Sequence, residues 1–222
     1  FFASNVNDSD GPMLTSRQLR PPHGSHALAE RVDGARFVLS PLAFFQTNVR
    51  AARLLVHEVV SALDSRSPVR VLDLYAGVGL FAIPLARRGH RVVAVEGNPD
   101  AAADGVASAR LNGLRQSSCR MLGMSESRAL QLLEREGARF DAVILDPPRS
   151  GCRAGILPRL VDRLRPDRVV YVTCDTETLA RGLEALFRPT RQTRYTLTSI
   201  QPVDMFPHTT HVESVSVLVR TQ

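Results

Sequence analysis

Lysine and tryptophan are absent from the 222 residues, and aromatic side chains make up only 5% of them. No apolar run approaches the ~18 residues that a membrane-spanning helix needs, so a membrane-spanning class is excluded and no membrane partner is expected. The three cysteines, Cys119, Cys152 and Cys174, are too few and too scattered for a disulfide scaffold or a four-thiolate metal site. A reducing, cytoplasmic compartment is expected. The chain opens on Phe1-Phe2 and shows no basic leader followed by an apolar core. It therefore carries no recognisable targeting signal and reads as a piece of something longer.

All 28 basic residues are Arg, and against 22 acidic residues they leave a net charge of +6. Arg forks suit phosphate, although a GC-rich genome would give the same bias. The charge permits a nucleic-acid partner without establishing one. With 44% hydrophobic residues, the chain is long enough to bury a real core, as one domain with an appendage.

Residues 1 to 35 are rich in Asn, Asp, Ser, Pro and Gly, with Asp10-Gly11-Pro12 and Pro21-Pro22-His23-Gly24, and show no sustained period. They read as an irregular lead-in to a domain over 36 to 222. From Val69 onward short apolar runs alternate with amphipathic stretches of helical length, the pattern of a βαβ series. Strands are expected over 69–74, 91–96, 118–123, 140–146 and 167–174, with helices near 48–63, 78–88, 99–112, 126–136, 153–164 and 176–187. Two more strands, near 192–201 and 212–220, have no helix between them. The fold class is therefore α/β, a doubly wound, mostly parallel seven-stranded sheet with ligands at the carboxyl ends of its strands. The closing hairpin would make the last strand antiparallel, as in methyltransferase-type sheets.

The first parallel strand runs into Asp73-Leu74-Tyr75-Ala76-Gly77-Val78-Gly79, where glycines let the backbone turn tightly against a ligand. Glu96 ends the next strand, where a carboxylate can accept both hydroxyls of a ribose. Position 82 is Ala where a third glycine would complete the fingerprint, so NAD and S-adenosylmethionine both remain open at this point. Tyr75 reads equally as an adenosyl-stacking ring or as a core residue at a strand end.

At the chemical end, Asp146-Pro147-Pro148-Arg149-Ser150-Gly151 forms a loop that two prolines stiffen. Amino-group methyltransferases place an aromatic where Arg149 stands, which argues against amino methylation. Cys174 ends the fifth strand before a helix whose N-terminal dipole would lower a thiol pKa. It is the leading nucleophile candidate, weighed against a buried structural thiol, while Cys119 and Cys152 read as passive. His208, His211 and Glu213 invite a metal reading, but the two His are three apart in a Pro-containing turn, so no metal is expected and Glu213 reads better as a base. Phe44-Phe45-Gln46-Thr47-Asn48 reads from spacing alone as a helix start, with Thr47 or Asn48 as N-cap.

Taken together, FFQTN, VLDLYAGVGLF, VEGNP, ARLNGL, VILDPPRSG, VYVTCDTETLARG and DMFPHTTHVE resemble, in order and spacing, the RNA uracil-5-methyltransferase family. The resemblance runs from about Phe37 to Val219. It implies a class I S-adenosylmethionine-dependent fold and methylation of carbon 5 of a uridine in tRNA or large-subunit ribosomal RNA. It also implies Cys174 as nucleophile, Glu213 as general base, and Gln46, Tyr75, Gly77, Glu96 and Asp146 on the cofactor-binding positions, with Asp146 also orienting the uracil. Family members usually carry an N-terminal oligonucleotide-binding barrel, and some an iron-sulfur cluster. With no cysteine before Cys119, no cluster is expected in this chain, and residues 1 to 35 resemble the tail of a central RNA-binding region. A monomer is expected. Gly123-Met124 and Leu80 depart from the family's pattern on the cofactor side. Two alternatives stand beside this reading: an RNA cytosine-5-methyltransferase, whose loop usually carries a second Cys where this one reads Asp-Pro-Pro-Arg, and a catalytically silent RNA- or cofactor-binding module.

Overall fold

The computed structural model describes residues 2–5, 19–23, 27–41, 43–63, 67–188 and 194–221. The expected turns at Asp10-Gly11-Pro12 and Gly24, and the start of the strand expected at 192, lie outside the described residues. β1 (Phe2–Asn5) and β2 (Leu19–His23) pair antiparallel, and so do β3 (Leu28–Val32) and β4 (Ala35–Leu39). The second hairpin shows no sustained period in the sequence. It forms because Asp33 and Gly34, both at positive φ, reverse the chain and bring Val32, Ala35 and Phe37 into the core.

The remaining elements are α1 (Val49–Ala62), β5 (Arg70–Leu74), α2 (Ala82–Arg87), β6 (Arg91–Glu96), α3 (Pro99–Leu111), β7 (Cys119–Gly123), α4 (Glu126–Arg135), β8 (Ala142–Leu145), α5 (Ile156–Arg159), β9 (Arg168–Thr173), α6 (Thr176–Phe187), β10 (Arg194–Val203) and β11 (Glu213–Thr221). They build a seven-stranded sheet in the order β10-β11-β9-β8-β5-β6-β7. β7, β6, β5, β8 and β9 run parallel, and β11 is antiparallel to both β9 and β10, as the closing hairpin implies.

Both faces are covered, so successive strand residues feed different cores. Val71, Ile144, Val170 and Val172 pack under α1, α2 and α3, whereas Leu72, Val143, Val169 and Tyr171 pack under α4, α5 and α6. Asp73 lies between Leu72 and Leu74 in β5 and is itself fully buried.

Two helices differ from expectation at their starts. Gly77 and Gly79 both take positive φ, so the chain spends 77–81 in turns and α2 begins only at Ala82. Gly155 at φ 85° likewise delays α5 to Ile156, which passes into a π-helical turn over Leu160–Leu164. Asn48, not Thr47, caps α1, its side chain accepting the Ala51 N–H at 3.1 Å. Among the described residues, no helix is long and apolar enough to cross a membrane.

Candidate active site

Every residue singled out in the sequence as a site residue lies at or beside the carboxyl end of a sheet strand, except Gln46. Gln46 is buried just before α1, and the Asn48 side chain that follows donates to the Met205 carbonyl at 3.2 Å. This bond ties the 44–48 segment to the 204–211 loop that leads into β11. Within that loop the Phe206 and His211 rings meet edge to face at 6.5 Å.

At the β5 end, Tyr75 has φ 64° and Gly77 φ 54°, so the chain turns back on itself, with the Ala76 N–H donating to the Val95 carbonyl at 3.0 Å. Glu96 at the end of β6 closes this cradle. One of its carboxylate oxygens accepts the Gly77 N–H at 2.8 Å and the other accepts the Asn98 N–H at 2.7 Å. Each oxygen keeps a second lone pair for a vicinal diol. A Cβ placed on Gly77 would meet nothing within 4 Å, so space lies open in front of the turn. Below the turn, the Asp73 carboxylate is fully buried and both its oxygens lack a hydrogen-bond partner. Burial pushes its pKa up to about 8, the Glu96 charge adds to the rise, and the nearby Ala82 amide offsets part of it. Cys119, 4% exposed, is raised to about 12, chiefly by burial and then by Asp73. It is a passive core thiol.

The second half of the site gathers three strand ends. Asp146 follows β8, Cys174 follows β9, and Glu213 opens β11. The antiparallel register pairs Ser214 with Thr173, which sets Glu213 beside Cys174. Desolvation raises the Glu213 carboxyl to about 7, with Arg149 pulling in the opposite direction. Asp146 is raised well above the usual carboxylate range, first by desolvation and then by the charges of Glu213 and Asp73.

The Cys174 thiol also moves opposite to the dipole expectation. Burial raises its pKa and the Glu213 charge raises it further, while the Arg149 guanidinium is the main group pulling it down. The dipole of α6 is instead spent on Asp175, which accepts the Thr178 N–H at 2.7 Å as N-cap. Arg149, which in the sequence served only to argue against amino methylation, is thus the cation whose charge acts on both Cys174 and Glu213. The available signal was its place directly after the stiff Pro147-Pro148 pair that follows Asp146.

A seven-stranded sheet with this strand order and a glycine turn facing a ribose-type acid defines the class of S-adenosylmethionine-dependent methyltransferases. The model of the tRNA (uracil-5-)-methyltransferase family matches residues 31–221, and the chain belongs to that family. It is 38% identical to an uncharacterised RNA methyltransferase of Geobacter sulfurreducens, over 97% of this chain and 42% of that protein. It is also 38% identical to the 23S rRNA (uracil(1939)-C(5))-methyltransferase RlmD of Photobacterium angustum, over 88% of this chain and 87% of that sequence. Among solved structures, it is similar to the Pyrococcus abyssi tRNA (uracil-54, C5)-methyltransferase in complex with S-adenosyl-L-homocysteine. The TM-score is 0.76 and the identity 33%, over 97% of this chain and 50% of that one. The chain thus spans about half the length of that structure and less than half of the Geobacter relative.

Proposed function

We propose that this chain methylates carbon 5 of a uridine in RNA through a covalent bond between Cys174 and the uracil ring. The observation that carries the reading is the convergence of a thiol, a carboxyl poised near neutrality and a guanidinium at three adjacent strand ends. The cradle fits S-adenosylmethionine. Glu96 has lone pairs for its ribose diol, Gly77 leaves the space in front of the turn, and Asp73 is a buried acid with no partner of its own below it. Tyr75 and Asp146 lie at the same end of the sheet, and Gln46 is buried just before α1. When bound, this group supplies the methyl carried on a sulfonium.

The protein's residues supply the rest. Carbon 5 of uracil is a poor nucleophile until a nucleophile adds to carbon 6. The Cys174 thiolate forms that sulfur–carbon bond, moving the ring electrons toward carbon 5 and oxygen 4. Arg149 favours the thiolate against the burial and the Glu213 charge that oppose it. A neutral Asp146 carboxyl can donate a hydrogen bond to the ring, which a carboxylate cannot. Once carbon 5 carries its methyl, Glu213 takes the carbon 5 proton. The electron pair then re-forms the ring double bond and expels the Cys174 thiolate. A carboxyl near 7 suits that base. The uridine must leave its stack to reach Cys174, so an unpaired RNA segment is the expected substrate, from transfer or large-subunit ribosomal RNA. The family's known relatives act on both.

The test is incubation with S-adenosylmethionine and 5-fluorouridine-substituted RNA, followed by intact-mass analysis. Fluorine blocks the final proton removal, so a methylated RNA–protein adduct is expected, and it is absent from Cys174→Ala. Cofactor binding without an adduct would sink the reading and leave a silent binding module. An adduct on 5-fluorocytidine-substituted RNA instead would turn it to the cytosine enzyme.

A further inference from the structure

Behind the loop that carries Asp146 and Arg149 lies a second set of polar groups that the methyl-transfer steps do not use. It occupies the α4–α6 face of the sheet. The Tyr75 hydroxyl accepts the N–H of Arg153 at 3.2 Å, linking the left-handed residue of the cofactor turn to the far end of the loop. The Cys152 thiol faces that hydroxyl and also the hydroxyl of Tyr171, a 1% exposed residue of β9 three positions before Cys174. Gly182 of α6 makes room for this ring, since a Cβ there would stand 2.7 Å from it. Glu126, 5% exposed, has a carboxylate oxygen without a hydrogen-bond partner, and its charge reaches both Tyr75 and Cys152. The Arg153 Nε is 3.9 Å from that oxygen.

The loop's other anchor lies on α6. The Thr178 hydroxyl donates to the Arg149 carbonyl at 2.8 Å. Gly151 at φ 84° presses on Thr178, whose methyl would be 3.0 Å from an added Cβ. The loop that presents Arg149 to Cys174 is therefore held at one end by α6 and at the other by Tyr75.

A purely packed core would need no hydroxyls in this place, because a buried hydroxyl is costly unless it is hydrogen-bonded. Tyr75 sits two residues before Gly77, whose N–H already engages a Glu96 oxygen. A diol that takes up Glu96 must share that carboxylate with Gly77, and any adjustment of the turn is passed to the Tyr75 hydroxyl. We propose that Tyr75, Cys152 and Tyr171 form a positioning junction between the cofactor turn and the 146–153 loop, so that filling the cofactor site changes how Arg149 is held at Cys174. The inference rests on the reading above, and it gives Tyr75 a role distinct from stacking on a ligand. Such coupling is reciprocal: a ligand seated against Arg149 and Cys174 alters cofactor affinity by the same factor.

The experiment needs no RNA. Alkylation of Cys174 by iodoacetamide is followed as a function of pH by peptide mass, which separates it from Cys119 and Cys152, with and without S-adenosylhomocysteine. In the wild-type chain the ligand is expected to change the Cys174 rate by roughly fivefold, the lower end of ordinary coupling between sites. Tyr75→Phe keeps the ring and loses the hydroxyl. Its affinity for S-adenosylhomocysteine is measured separately by calorimetry, and once loaded it is expected to show no ligand-dependent change at Cys174; Tyr171→Phe, outside the cofactor cradle, is expected to bind S-adenosylhomocysteine and to show the same loss. A thermal melt identifies a variant that fails to fold, and the other then carries the test. If the ligand effect persists undiminished in both variants, direct shielding of Cys174 explains it and the junction is overturned. A wild-type rate that ignores bound ligand overturns it equally. Failure of S-adenosylhomocysteine to bind the wild-type chain is a distinct result that removes the cofactor reading and this inference with it.

Discussion

Burial raises the pKa of both Cys174 and Glu213, the Glu213 charge raises Cys174 further, and the Arg149 charge opposes both shifts. Glu213 at about 7 must be ionised to take a proton, so methyl-transfer turnover should fall as pH drops through about 7 rather than through the ordinary carboxyl range near 4.5. The sign follows from the base form being the deprotonated one. Glu213→Gln should erase that acid limb and slow release of methylated product by roughly 10²-fold or more, the usual worth of a positioned general base. The covalent Cys174 adduct should still form in the variant and accumulate in a rapid-quench time course. An unchanged acid limb would assign it to another group, with Asp146 next in line. Cys174, Glu96 and Asp146 could be picked out in the sequence because each ends an apolar run before a turn. The electrostatics could not. The Cys174 shift is set first by burial, then by Glu213, 39 positions away, and Arg149, 25 positions away, and only the register of β9 with β11 brings the strand-end pair together.

At the scale of elements, the strands and helices of the parallel sheet follow the apolar period closely, because each is buried on a face whose spacing the sequence must match. α3 and α6 begin at the expected residues, each after a side-chain N-cap, Asn98 and Asp175. The β3–β4 hairpin escaped notice for a physical reason: its alternation is confined to Ala35 and Phe37, and the rest of its attachment is made by polar side chains reaching backbone. Asp104, Ser108 and Asn112 stand four apart along α3 and its C-cap, ~6 Å per step. They accept the N–H groups of Ser40, Val38 and Arg36, two apart on an extended segment at ~6.6 Å per step. The two rises match well enough for three successive bonds, and Asn112 also donates back to the Arg36 carbonyl at 2.6 Å. Ser108 is fully buried, and its hydroxyl meets the Val38 N–H at 2.8 Å. Ser108→Ala leaves that amide without a partner and should cost about 1–3 kcal/mol of stability, read as a lower urea midpoint at unchanged slope. A loss within error would mean that water replaces the hydroxyl there.

For the molecule as a whole, charge is divided between surface and site. A net charge of +6, all of its cations Arg, favours a polyanion outside. Inside, Asp73, Glu96, Asp146 and Glu213 gather at the carboxyl end of one sheet, where burial pushes Asp73 and Asp146 toward their neutral form. This division makes folding stability depend on pH. Asp73 is raised from 3.8 to about 8 by burial, so the native state holds its proton where the unfolded chain has released it. Its contribution is complete below pH 3.8 and is lost progressively as pH rises to about 8, because across that window the native state binds more protons. Asp146 and Glu213, also raised, act in the same direction. Asp73→Asn keeps the shape and removes the titration. Its melting temperature relative to wild type should therefore climb steadily between pH 5 and pH 8, then level off above about 8. The same substitution should weaken cofactor binding measured by calorimetry, because an amide beneath the turn, unlike the Asp73 carboxyl, has no proton to release when a cationic ligand arrives. A difference in melting temperature that stays flat with pH would mean that Asp73 ionises freely in the native state. The acid beneath the glycine turn would then be solvated, and the burial that sets it apart from Glu96 would not govern its chemistry.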